Sequence, residues 1–104
     1  MQNICVVFDI GKTNKKILAF NENYEVVYEK TKSFPEILDD DGEACDDLFS
    51  LNIWLKSEFE LVKNNPTFNI KGLNFSGYGA SLVHIDNQGK PIAPLYNYLK
   101  AFPK

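Results

Sequence analysis

Between residues 4 and 31 three apolar runs follow one another with links of only a few residues, and this spacing excludes most ways of folding the front of the chain. The first run, "ICVVFDIG" at residues 4–11, is rich in β-branched residues and apolar at alternate and intervening positions alike. That is the pattern of a strand buried on both sides. "KKILAFN" (15–21) reads as a second strand. "YEVVYEKT" (24–31) reads as a third, half exposed because charged and apolar positions mix. A parallel pair needs a crossover of a dozen or more residues, so these three strands are expected to form an antiparallel meander.

The next stretch, "SFPEILDDDGEACDD" (33–47), reads as a polar, acidic, solvated connection. Asp39, Asp40 and Asp41 invite a calcium reading, but no Glu follows Gly42 at the spacing of an EF-hand loop. Residues 46–64 read as a helix, because Leu48, Leu51, Leu55, Phe59 and Val62 recur three or four apart and form one apolar stripe, which Trp54 widens. Asp46 or Asp47 can cap its start, and "NNP" at 64–66 ends it. A further strand begins in "IKGLNFSGYGAS" (70–81), where Gly77 and Gly79 then allow irregular backbone. "DNQGK" (86–90) carries the turn chemistry of a β-hairpin between residues 82–85 and 91–94. His84 is the one histidine and has no local Ser, Cys or Asp arrangement around it, so it reads as an ordinary strand residue. Cys5 reads as buried filler and Cys45 as a free surface thiol, with no metal or redox spacing between them.

The 104 residues suffice for one mixed α/β domain over 1–104. A net charge of −3 without a basic run argues against nucleic-acid binding. No apolar stretch nears the ~18 residues that cross a bilayer, and the start lacks the make-up of a signal peptide. A cytoplasmic protein without membrane partners is expected.

"FDIGKTNKK" (8–16) contains "GKT", the tail of the nucleotide-binding loop GxxxxGK[ST]. The full loop would need glycine at position 6, which is Val6, and it would open a helix rather than the strand expected here. A different phosphate site fits better. Asp9 ends the first strand and Gly11 lets the chain turn, while Lys12, Thr13 and Asn14 present donors at the tip. Donors of this kind hold phosphate oxygens, and the acid holds Mg²⁺ directly or through its water shell. The competing reading is a plain hairpin turn whose aspartate accepts backbone bonds.

The order strand, glycine turn, strand, strand, acidic connection, helix, strand resembles the first half of the ribonuclease-H-like (actin-like ATPase) domain of the sugar kinase, Hsp70 and actin superfamily. Among these, the FGGY carbohydrate kinases are most similar. "FDIGKTNKKILAFN" resembles their N-terminal phosphate motif, D-x-G-T-x-x-x-[KR]. "LNFSGYGASLVHIDNQGKPIAPLYNYL" resembles a strand ending in Ser-Gly followed by a hairpin of the form D-x-x-G-x-P-hydrophobic-x-P. The resemblance implies that Asp9 lies near Mg²⁺ and that Gly11, Lys12, Thr13, Asn14 and Lys16 belong to the phosphate turn. It further implies that Gly77, Tyr78, Gly79 and Ala80 face the sugar, joined by Asn97, Tyr98 and Lys100. Three departures stand out: Lys12 replaces the usual Thr, no Gln or His follows Ser-Gly, and the segment often reading Trp-x-Asp-x-Arg is "YLKAF". These departures imply a sugar pocket unlike that of the common xylulose or glycerol kinases.

The same resemblance implies ATP and Mg²⁺ as cofactors of a full-length enzyme. Its catalytic Asp base and adenosine motif would lie beyond residue 104. The chain is therefore expected to be the N-terminal part of such a kinase, inactive alone. With one helix for a sheet that normally carries helices on both faces, an apolar face or edge is expected to stay open and to favour self-association. Two classes of function remain: a segment of an ATP-dependent sugar kinase, or a noncatalytic binding or self-associating module of the same fold.

Overall fold

The computed structural model describes residues 1–79 and 81–97. In chain order its elements are β1 (Gln2–Ile10), β2 (Lys15–Phe20), β3 (Val26–Lys32), β4 (Ile37–Leu38), β5 (Ala44–Asp46), helix α1 (Leu48–Lys63), β6 (Phe68–Gly77) and β7 (Leu95–Tyr96). β1, β2 and β3 form the antiparallel meander expected from their short links. β6 pairs parallel to β1 on its other side, which the long connection through α1 permits, and the sheet order is β3-β2-β1-β6. A second, small sheet has the order β4-β5-β7. This is the mixed α/β arrangement anticipated: meander, helix and a further strand.

Helix α1 covers one face of the larger sheet. Ile4, Val6 and Phe8 of β1, Ile17 and Ala19 of β2, and Val62 of α1 make the buried core. The Phe8 ring meets Trp54 edge-on at 6.1 Å and stacks on Phe75 at 5.4 Å. The helix starts where expected, since the Asp47 carboxylate accepts the backbone N–H of Ser50 at 3.1 Å and its hydroxyl at 2.7 Å. Glu58 is a buried acid on the inner side of α1. It accepts from the Tyr28 hydroxyl and from Lys30 Nζ, each at 3.4 Å, so its charge is compensated.

β1 departs from the expectation of a strand buried on both sides. Side chains alternate across a strand, and only the set facing α1 is covered; Cys5 and Asp9, on the opposite face, are exposed. The two cysteines accordingly exchange the roles expected of them. Cys5 is exposed, whereas Cys45 is fully buried in β5, which lies between β4 and β7. Burial, together with the nearby charges of Asp39, Asp46 and Glu36, pushes the Cys45 thiol up from its ordinary value. An alkylating reagent at neutral pH is expected to modify Cys5 rapidly and Cys45 only on unfolding, as peptide mass mapping of a time course will read.

Residues 33–47 are also more ordered than a solvated connection. Asp39 Oδ1 accepts the backbone N–H groups of Asp41 (2.8 Å) and Glu43 (3.0 Å), and Gly42 takes φ +78°. This turn pairs β4 with β5. The acidic run hid it, because Asp is common both in solvated loops and in turns that fold back on themselves. The hairpin expected over residues 82–94 forms without continuous strands; beyond its turn, the Ile92 N–H donates to the His84 carbonyl at 2.9 Å. Asp86 and Lys90 close the turn, Gly89 takes φ +79°, and a single bridge joins Ile85 to Pro91.

Candidate functional site

β1 and β6 run parallel and side by side, so their carboxyl ends open on one edge of the sheet. Sites in parallel sheets gather at such edges. The Tyr78 N–H donates to the Ile10 carbonyl at 3.1 Å, which ties the end of β6 to the end of β1. The turn at residues 11–14 leaves β1 at this edge, closed by the Gly11 N–H donating to the Asn14 carbonyl at 2.9 Å. A Cβ on Gly11 would lie 2.7 Å from that same carbonyl oxygen. Glycine is therefore required for room, since among described residues the positive-φ glycines are Gly42 and Gly89.

Lys12 projects from the turn into an acidic setting. Its Nζ donates to Asp46 Oδ1 at 2.9 Å, lies 3.5 Å from Glu36 Oε2, and sits 5.7 Å from the centre of the Tyr78 ring. The Tyr78 hydroxyl donates to the other oxygen of Asp46. Desolvation opposes the charge on Lys12, but the hydrogen bonds and charges of Asp46 and Glu36 outweigh it and raise the Lys12 pKa above the ordinary lysine value. The ammonium thus stays charged through the physiological range. Lys15 is 4% exposed and spends its charge internally, donating to the Lys12 carbonyl at 3.1 Å. Thr13 and Asn14 are exposed at the tip. Asp9, also exposed, stands in register with Lys16 on β2 and Ser76 on β6, a polar row across the sheet face that α1 leaves uncovered.

Of the residues singled out in the sequence, the structure brings Lys12 and Tyr78 into one cluster and sets Asp9 beside Lys16. Gly77 ends β6, and Gly79 follows it exposed. Asn97 follows β7, which pairs with the strand bearing Asp46. Ala80, Tyr98 and Lys100 lie outside the described residues. Asp46, 8% exposed, is the member that sequence reasoning missed as a site residue. Its signal was the pair of adjacent aspartates before α1. One carboxylate suffices for the cap, and Asp47 provides it, which leaves Asp46 for Lys12. The carboxylates of Asp39, Asp40 and Asp41 lie within 4.8 Å of one another, but Asp39 is occupied in shaping its own turn. A polar depression of about 280 Å³ between Met1, Gln2, Asn3, Asn21, Glu22 and Asn23 lies at the other end of β1 and β2 from the turn.

No protein-family model matches the sequence. The chain is 28% identical over 97 residues to the gluconokinase of Bacillus subtilis (strain 168), a match covering 90% of this chain and 18% of that protein. Among solved structures it is similar to gluconate kinase from Lactobacillus acidophilus, with a TM-score of 0.73 at 19% identity over 91% of this chain and 19% of that one. It is also similar to ligand-bound xylulose kinase from the same organism, with a TM-score of 0.71 at 19% identity, covering 89% and 19%. The fold is therefore that of a part of these sugar kinases. The chain spans about a fifth of the length of the relatives it matches.

Proposed function

We propose that this chain forms the phosphate-binding edge, and part of the acceptor site, of an ATP-dependent carbohydrate kinase of the FGGY type, working in the cytoplasm. One observation carries the reading. A fold similar to kinases of gluconate and xylulose sets a glycine turn at the end of β1, and that turn has just the room that a glycine leaves. On this reading residues 1–104 are the first part of the kinase's N-terminal domain. Gly11, Lys12, Thr13 and Asn14 contact the ATP phosphates, Lys16 adds charge nearby, and Asp9 holds Mg²⁺. Gly77, Tyr78, Gly79 and Ala80 face the sugar or sugar acid, with Asn97, Tyr98 and Lys100 from the following segment.

The residues present suit Mg²⁺·ATP. Asp9 is an exposed, acceptor-only carboxylate at a strand end, beside a tight turn whose closure onto the Asn14 carbonyl requires glycine at position 11. Bound Mg²⁺ supplies charge neutralisation for the phosphate oxygens. The chain's own contribution is positioning: N–H donors and one ammonium at the turn, and the Ile10–Tyr78 bond that keeps turn and acceptor segment in register. A proton acceptor for the sugar hydroxyl belongs to the remainder of such an enzyme, so residues 1–104 alone bind without transferring phosphate.

The second reading, a self-associating module, draws on β6. It is a ten-residue edge strand whose Leu73 and Phe75 are 45% and 56% exposed. A concentration-dependent mass in light scattering, with no effect of nucleotide, would favour it.

Titration with Mg²⁺·ATP tests the kinase reading. The amides of Gly11, Lys12, Thr13 and Asn14 are expected to shift in the NMR spectrum, and Asp9→Ala is expected to weaken the response at least about tenfold. Unchanged turn amides in a folded sample would count against it.

A further inference from the structure

Lys12 holds an odd position for a phosphate ligand. It belongs to the turn, yet its ammonium is already engaged by Asp46 at 2.9 Å and by Glu36 at 3.5 Å. Asp46 is itself fixed: it is 8% exposed, and its second oxygen accepts the Tyr78 hydroxyl. Lys15 is committed to the Lys12 carbonyl, while Lys16 stands on β2 opposite Asp9, on the face away from α1. An anion entering the turn must therefore compete with two carboxylates for the Lys12 ammonium.

We propose that Lys12 exchanges partners, leaving Asp46 and Glu36 for the phosphate oxygens when a polyphosphate occupies the turn, so that Asp46 sets the affinity of the site by competing for that ammonium. This rests on the phosphate-turn reading and adds its regulation. The chemistry suits an exchange. A lysine ammonium is a compact point charge on a flexible four-carbon stem, able to reorient without moving the backbone. A charge-assisted bond to phosphate replaces one to carboxylate, so little is lost in kind. Tyr78 steadies Asp46 when Lys12 leaves, because its hydroxyl keeps one bond to the carboxylate. The exchange also explains why lysine is tolerated where the resembling motif carries threonine: in the empty turn the extra positive charge is neutralised.

The test uses the full chain labelled with ¹⁵N-lysine, and inorganic tripolyphosphate as the probe. The Lys12 Nζ signal is expected to move along the same saturation curve as the Gly11 to Asn14 amides. Asp46→Asn keeps the side-chain shape and an acceptor for Tyr78, and is expected to tighten tripolyphosphate binding about fivefold. Glu36→Gln, at a more exposed partner, is expected to do the same more weakly. In a Lys12→Gln background, Asp46→Asn is expected to change nothing, which separates competition for Lys12 from the general loss of a negative charge. Turn amides that shift while Lys12 Nζ stays still would overturn the exchange and leave the phosphate turn standing. So would an equal tightening by Asp46→Asn in both backgrounds. Turn amides that do not respond at all would remove the phosphate turn and the exchange together.

Discussion

Replacing Phe8 with alanine is expected to destabilise the chain by about 3–5 kcal/mol, the usual cost of emptying a large aromatic site in a core. The side chain is 1% exposed and lies between the edge of Trp54 on α1 and the face of Phe75 on β6. It thus joins helix, central strand and parallel edge strand. A domain of this size holds roughly 5–15 kcal/mol in all, so the variant is expected to be largely or wholly unfolded near body temperature. Urea unfolding followed by the fluorescence of Trp54, the chain's only tryptophan, will measure the loss directly. A change under about 1 kcal/mol would mean that Phe8 is not the centre of the core. The consequence reaches the site, because Asp9 and the glycine turn follow Phe8 without a break and owe their placement to the anchored strand.

The second large effect is local. Gly11→Ala would put a methyl carbon 2.7 Å from the Asn14 carbonyl oxygen, well inside contact distance and against backbone that has no rotamer to change. The turn must open, and the 2.9 Å bond from the Gly11 N–H to that oxygen must lengthen or break. A cost of roughly 1–3 kcal/mol in stability is expected, as for other forced overpacking. Loss of the Mg²⁺·ATP response is expected even in the fraction that stays folded. Gly77→Ala is the matched control: no atom lies within 4 Å of its added Cβ, and its φ is not in the left-handed region. It is expected to stay within about 0.5 kcal/mol of the parent chain. Equal effects at the two glycines would contradict the steric account of the turn.

Much of the frame was legible because it rests on local rules. The meander followed from links too short to cross over, and the helix from an apolar stripe with an aspartate before it. The parallel placement of β6 beside β1 was not anticipated, since a strand's partner is a long-range choice that its own residues do not encode. The errors share one cause. Whether an apolar strand is covered once or twice depends on the number of layers packed against it. β1 reads the same either way, so Cys5 was expected inside, whereas Cys45 was expected outside because it lies in the acidic stretch. The acidic stretch misled for a related reason: Asp39 shapes a turn and Asp46 takes an ammonium, and in sequence both look like solvated charge. Asp46 also shows why the site was only half legible. Lys12 and Tyr78 were singled out separately, on motif grounds, while the carboxylate that joins them comes from a strand 34 residues away from Lys12. Contacts of that separation are set by the fold.

We propose that the end of β1 is a site for metal-bound polyphosphate. Titration with Mn²⁺·ATP in place of Mg²⁺·ATP tests it most directly, because the paramagnetic ion broadens the NMR signals of the amides nearest to it. Broadening is expected to centre on Asp9 and on Gly11, Lys12, Thr13 and Asn14, and to reach Gly77 and Tyr78 next, since the Tyr78 N–H is bonded to Ile10. Asp9→Ala is expected to abolish it. Broadening centred instead on Asp39, Asp40 and Asp41, where three carboxylates converge, would contradict this and put the metal in the wrong part of the molecule for a kinase.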